Sequence, residues 1–320
     1  MKLRNIDLSS SPVNLEHQAL ALPPIEKQPL HPVLQASVVA VCIILSVFVV
    51  AGMTNIFWPS FDAGIKTVSD VISSPVFWTA MAIGLLAQTV DGALGMAYGI
   101  TSTSFLLASG IPPALATASV HMAEVFTTGV SGVAHAKLGN VNRQLFLRLL
   151  LPGILGVITG ALVVTTLDAS ILKPIISGYL LLMGVYILCK AFKKIQSSHN
   201  ALPRHIAKLA FIGGFVDTSG GGGWGPVVTT TLLGSGHDPR TTIGSVNFAE
   251  FFLTLISATS LFILVEESIW PVVTGLMLGG LLAAPFAALA CKHIPAKTLL
   301  IVVGLLISAI SVFSLTRLFW

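Results

Sequence analysis

Four carboxylates and one imidazole lie in stretches that are otherwise apolar: Asp91, Glu124, Asp217, Glu250 and His121. The acids form two pairs with one spacing, since 124 − 91 and 250 − 217 both equal 33. A carboxyl group inside a membrane without a cationic neighbour is a natural proton carrier, because burial penalises its charged form. No lysine or arginine lies in the spans near these four, so they are candidates for proton coupling. Asp91 and Asp217 each also open a turn, where the plainer role is a helix cap accepting backbone N–H bonds. The glutamates have a structural alternative too, a hydrogen bond to turn backbone. His121 stands three residues before Glu124 on the same helical face, and Asn247 holds the equivalent place before Glu250. Each either contacts ligand or proton, or is a satisfied buried polar residue.

Each aspartate leads into glycines. Asp217 precedes Gly220, Gly221, Gly222, Gly223, Trp224, Gly225 and Pro226; Asp91 precedes Gly92, Gly95, Tyr98 and Gly99. Glycine admits a ligand close to the backbone and permits positive φ. Helices starting just beyond Gly99 and Gly225 would aim N–H groups and a positive dipole end at an anion. The substrate-binding candidates are therefore Gly95, Tyr98, Gly99, His121, Gly220, Gly221, Gly222, Gly223, Trp224, Gly225 and Asn247. Close helix packing or a tight turn is the structural alternative for the glycines.

These residues belong to a duplicated element. A shift of 126 residues without a gap aligns 91–126 with 217–252 and gives 14 identities in 36 positions, against about 3 for unrelated apolar segments. The chain is 54% hydrophobic and 9% charged, far from the roughly 25% charge of soluble domains. It is an all-α polytopic membrane protein. The net charge of +4 is spread over short loops and marks no nucleic-acid surface. Cys42, Cys189 and Cys291 show neither disulfide nor metal spacing.

The expected organisation is a polar tail (1–32), an additional transmembrane helix (33–56), a loop through Trp58 and Pro75, and two repeats, 76–192 and 205–316. Within each repeat the first apolar arms, 76–90 and 206–216, reach only roughly 22 and 16 Å as helices, short of the hydrocarbon core. They are predicted to be re-entrant, turning back at the glycines, with three longer spans following. An odd number of crossings per repeat inverts the second copy. With the N-terminus cytoplasmic, 14 of 17 lysines and arginines then fall inside, Lys190 and Arg240 among them. Inverted repeats bring both glycine turns toward one midplane site exposed alternately to each face.

The two glycine segments, the Gly-x-x-Pro turns at 110–113 and 236–239, and the Ser-Val-x-x-Ala-Glu sequences at 119–124 and 245–250 resemble the TauE/SafE sulfite exporter family, also called TSUP permeases, over residues 76–315. The resemblance implies transport of sulfite, organosulfonates or related small anions across the bacterial inner membrane, coupled to protons or the membrane potential. An anion channel using the same dipoles is the alternative. No metal cluster, nucleophile elbow or nucleotide loop points to an enzyme, and no cofactor is expected.

Overall fold

The structure, a computed structural model, describes residues 31–58, 60–94, 96–192, 205–235, 237–265, 269–293 and 296–317. The expected polar tail lies almost wholly outside them. Twelve helices are seen among the described residues: α1 (Pro32–Phe57), α2 (Phe61–Ser73), α3 (Pro75–Leu94), α4 (Tyr98–Ala108), α5 (Pro113–Lys137), α6 (Arg143–Thr166), α7 (Ala169–Lys190), α8 (Ile206–Gly220), α9 (a π-helical turn Gly225–Thr229 continued by Thr230–Gly234), α10 (Pro239–Leu264), α11 (Trp270–His293) and α12 (Ala296–Thr316).

The connections are short and their ends are chemically marked. Pro113 and Pro239 open α5 and α10 at the position where a missing N–H costs nothing. Asn142 caps α6 by accepting the Leu145 N–H at 3.1 Å, and Asp238 caps α10 by accepting that of Thr241 at 2.8 Å.

α1, α6, α7 and α10 are long and apolar enough to cross a bilayer, and the pair α2–α3, bent by 68°, would make a fifth span if counted as one. α5, with 25 residues, is long enough but less apolar. The cause is what it buries: Thr117, Ser119, His121, Glu124, Thr127 and Thr128 all face protein. Large apolar side chains exposed on the outer helices, such as Val47, Leu151, Leu182 and Ile263, suit contact with lipid.

Two parts of the chain differ from the sequence reading. The stretch after Trp58 folds as helix α2, with Phe61, Ile65, Val68 and Ile72 at the i, i+4, i+7 and i+11 spacing of one helical stripe; its polar residues had made it look like a loop. The arms before the glycines are also longer than expected. Helix continues through Asp91 to Leu94 and through Asp217 to Gly220, so α3 has 20 residues and α8 has 15, roughly 30 and 22 Å. Neither aspartate ends its helix, because each carboxylate reaches forward to the start of the next one.

Helix packing exchanges partners between the two copies. α3 lies along α11 while its counterpart α8 lies along α6, the counterpart of α11. α5 packs on α10 and α7 on α12, each against its own equivalent. Glycines let these backbones approach: a Cβ at Gly275 would meet Ala80 and Met81 of α3 within 3.0 Å, and one at Gly160 would meet Ser219 and Thr218 of α8 at 3.1 Å.

Candidate functional site at the contact of the glycine segments

Each glycine segment is built around its aspartate. α3 ends at Leu94, Ala97 takes φ +97°, and α4 begins at Tyr98, whose N–H faces Asp91 Oδ1 at 3.4 Å. In the second copy α8 ends at Gly220 and is capped by Gly221 (φ +70°), followed by Gly222 (φ +133°), and the Trp224 N–H donates to Asp217 Oδ1 at 2.9 Å. Glycine is required at 221 and 222 because L side chains avoid these conformations. The first donor beyond each break is thus turned to an aspartate of the same copy, which is the capping role.

The two segments touch. A Cβ on Gly99 would lie 2.7 Å from Gly222 Cα and 3.1 Å from Glu124 Oε1, so backbone meets backbone with no room for a side chain. First-copy residues hold the second copy's loop. Thr103 Oγ1 donates to the Gly221 carbonyl, and the Tyr179 hydroxyl donates to that of Gly222 at 3.0 Å. The start of α4 therefore abuts glycine backbone, where the sequence reading had its dipole facing a ligand.

Charge gathers around this contact. His121 Nε2 lies 3.2 Å from Asp217 Oδ2, the one ion pair among the described residues, and both side chains are buried. On its other side, Nδ1 is 2.8 Å from the Thr117 carbonyl, which fixes the proton on that nitrogen. The Thr117 hydroxyl in turn donates to the Thr218 carbonyl at 2.9 Å, tying α5 to α8 again. Glu124 is 3% exposed, and its Oε2 has no hydrogen-bond partner. Glu124 and Glu250 are both near enough to Asp91 and Asp217 for their charges to interact. A cap bond contributes about 1 kcal/mol, whereas a buried ionised oxygen without a donor costs several. The energetic tension of the site therefore sits at Glu124.

Among the sequence candidates, Gly99, His121, Glu124, Asp217, Gly221 and Gly222 come together here. Gly220 and Gly223 line the ring and hydroxyl of Tyr179, and Gly225 opens the π-helical turn. Asp91 and Glu250 are half-buried. Asn247 donates to Ser131 Oγ at 3.4 Å and leaves its buried Oδ1 without a partner. Tyr98 and Trp224 are anchored elsewhere: the Tyr98 hydroxyl donates to the Leu276 carbonyl at 2.9 Å, and the Trp224 indole to that of Val246 at 3.2 Å. They belong to two separate apolar clusters. Gly95 lies outside the described residues.

Thr117 and Tyr179 escaped the sequence reading as site residues. Only Thr117 carried a usable signal, its position four residues before His121 on one helical face. Lys190 is a further correction. Taken as a loop charge, it is the last residue of α7, half-buried, with Nζ 3.9 Å from Met96 Sδ beside the first break.

Residues 80–314 match the family described as "Sulfite exporter TauE/SafE". The chain belongs to this family. A relative from Bacillus subtilis (strain 168), described as "Probable membrane transporter protein YtnM", is 45% identical over 231 residues, covering 69% of this chain and 77% of its own length. No solved structure matches the chain. As a TauE/SafE permease the protein is a multi-pass membrane transporter, so its buried polar cluster has a transport role open to it that a soluble protein's would not.

Proposed function

We propose that the protein is a secondary carrier that moves a small anion, with sulfite, thiosulfate and organosulfonates as the first class to test, across the bacterial inner membrane. On this reading residues 76–192 and 205–316 are inverted copies, the N-terminus is cytoplasmic, and the contact of the glycine segments is the closed form of a midplane site that opens to each face in turn. The single observation that carries the proposal is the meeting of Gly99 with Gly221 and Gly222 beside Glu124 and the His121–Asp217 pair. One contact made by both copies is what alternating exposure needs. The exchanged helix partners, α3 with α11 and α8 with α6, supply the related surfaces on which the copies would rock.

When the contact parts, the Gly221 and Gly222 carbonyls lose Thr103 and Tyr179, and those hydroxyls become free to donate to an anion. His121 stands in the same place, its charge balanced by Asp217. Lys190, beside Met96, would draw anions toward the first break.

Purified protein in proteoliposomes, given ³⁵S-labelled sulfite, thiosulfate or sulfoacetate, should show uptake that saturates and is accelerated by unlabelled substrate on the opposite side. Flux that rises linearly without such counterflow would instead identify an anion channel. Failure of all three to move would contradict the assigned substrate class.

A further inference from the structure

The site that is to receive an anion is rich in acid. α3 contributes Asp91, α5 contributes His121 and Glu124, α8 contributes Asp217 and α10 contributes Glu250; the phenols Tyr98 of α4 and Tyr179 of α7 face it as well, and Lys190 at the end of α7 stands at its edge beside Met96. Four carboxylates against one imidazole leave an excess of negative charge if all ionise, and an anion would be repelled. Protons must accompany it. The question is which group carries them.

The hydrogen bonds single one out. Asp217 is committed on both oxygens, to the Trp224 N–H and to His121. Since the Thr117 carbonyl can only accept, Nδ1 of His121 holds a proton, and a second proton must lie between Nε2 and Oδ2 for those atoms to attract. The pair is neutral as a unit and its proton is held from both sides. Asp91 faces the Tyr98 N–H. Glu124 is different: its Oε2 is buried without a donor, and Oε1 lies against the place where Gly99 meets Gly222. A carboxylic acid tolerates that setting and a carboxylate does not. The packed glycine backbones also seal it, so its proton can exchange only when the two segments separate.

We infer that Glu124 carries the transported proton and must be protonated for the anion to bind, so that proton and anion cross in the same direction. This rests on the anion-carrier reading above, and its chemistry is the protonation of one carboxylate on entry and its release on exit. The His121–Asp217 pair, by contrast, is a fixed brace between α5 and α8.

The test uses the full chain in proteoliposomes with ³⁵S-sulfite, thiosulfate and sulfoacetate. In the wild type, a lower external pH should drive accumulation of at least one of them about 10-fold above equilibrium, and counterflow should slow as pH rises on both sides. Glu124→Gln should abolish the accumulation and leave whatever counterflow remains independent of pH, whereas Asp62→Asn, at an exposed carboxylate of α2 outside the site, should still accumulate. Accumulation by Glu124→Gln overturns the inference. So does wild-type counterflow with no response to the pH gradient, a result that leaves the carrier reading standing. A wild type that exchanges none of the three overturns both. If Glu124→Gln does not fold, proton uptake by detergent-solubilised wild type on addition of the transported anion decides: about one proton per chain is expected, and none contradicts the inference.

Discussion

The two glycine segments share one backbone device and surround it with different chemistry. In both, an aspartate near the end of the incoming helix faces the N–H of the residue seven positions later, where the next helix begins. The second aspartate sits 2.9 Å from that nitrogen and also meets an imidazole; the first sits 3.4 Å away and has no imidazole, because Asn247 stands where symmetry would put a second histidine and turns to Ser131 instead. Duplication thus preserved the broken helix, while later divergence concentrated charge pairing at the contact of α5 with α8. Two equal breaks would make two equal half-sites. Here the second break is braced by an ion pair, and among the described residues the first has none.

The comparison breaks most severely at Gly222. Gly222→Ala would force a side chain into φ +133° and into the backbone of Gly99, which should cost roughly 4 kcal/mol or more; loss of folded protein on size exclusion, or a large drop in thermal midpoint, is expected. The aspartates come next. Asp217→Ala strands a buried histidine and should destabilise by about 3–5 kcal/mol, whereas Asp91→Ala removes only a long cap bond, about 1 kcal/mol. Thermal unfolding of both variants in one detergent checks the ordering, and equal losses would show that the asymmetry has no energetic content.

The duplication, the paired acids and the capping option for both aspartates were legible in the sequence, because they depend on residue type and local spacing. The meeting of Gly99 with Gly222 required the further step of placing the copies around one site. Other features were out of reach. Tyr179 and Lys190 act through distance in space from a helix, α7, whose sequence is otherwise an ordinary apolar span. Helix α2 was hidden because its apolar stripe is interleaved with Asp62, Lys66 and Asp70, which a hydropathy reading scores as loop. The direction of the Tyr98 and Trp224 side chains was not decidable either, since an aromatic beside a glycine break serves a ligand or an apolar cluster with the same local pattern.

Smaller effects sharpen the comparison. Tyr98→Phe and Trp224→Phe, at equivalent positions of the repeat, each delete one hydrogen bond to a backbone carbonyl, that of Leu276 and that of Val246. Tyr98→Phe should cost about 1 kcal/mol and Trp224→Phe more, because it also leaves a cavity at a fully buried side chain, while anion affinity measured by thermal shift should change little in both. A loss of affinity in either variant would return that aromatic to the binding surface. Lys190→Ala should raise the apparent KM for the anion about 3- to 10-fold, with a smaller effect at high ionic strength because the steering charge is screened.

Residues of the first copy hold the glycine loop of the second. Tyr179 offers the most direct test, since its hydroxyl touches the Gly222 carbonyl. With benzoylphenylalanine in place of Tyr179, irradiation of the protein in lipid nanodiscs followed by peptide mass spectrometry should place the cross-link within residues 220–223. Cross-links confined to lipid, or to helices other than the end of α8 and its glycine loop, would contradict it.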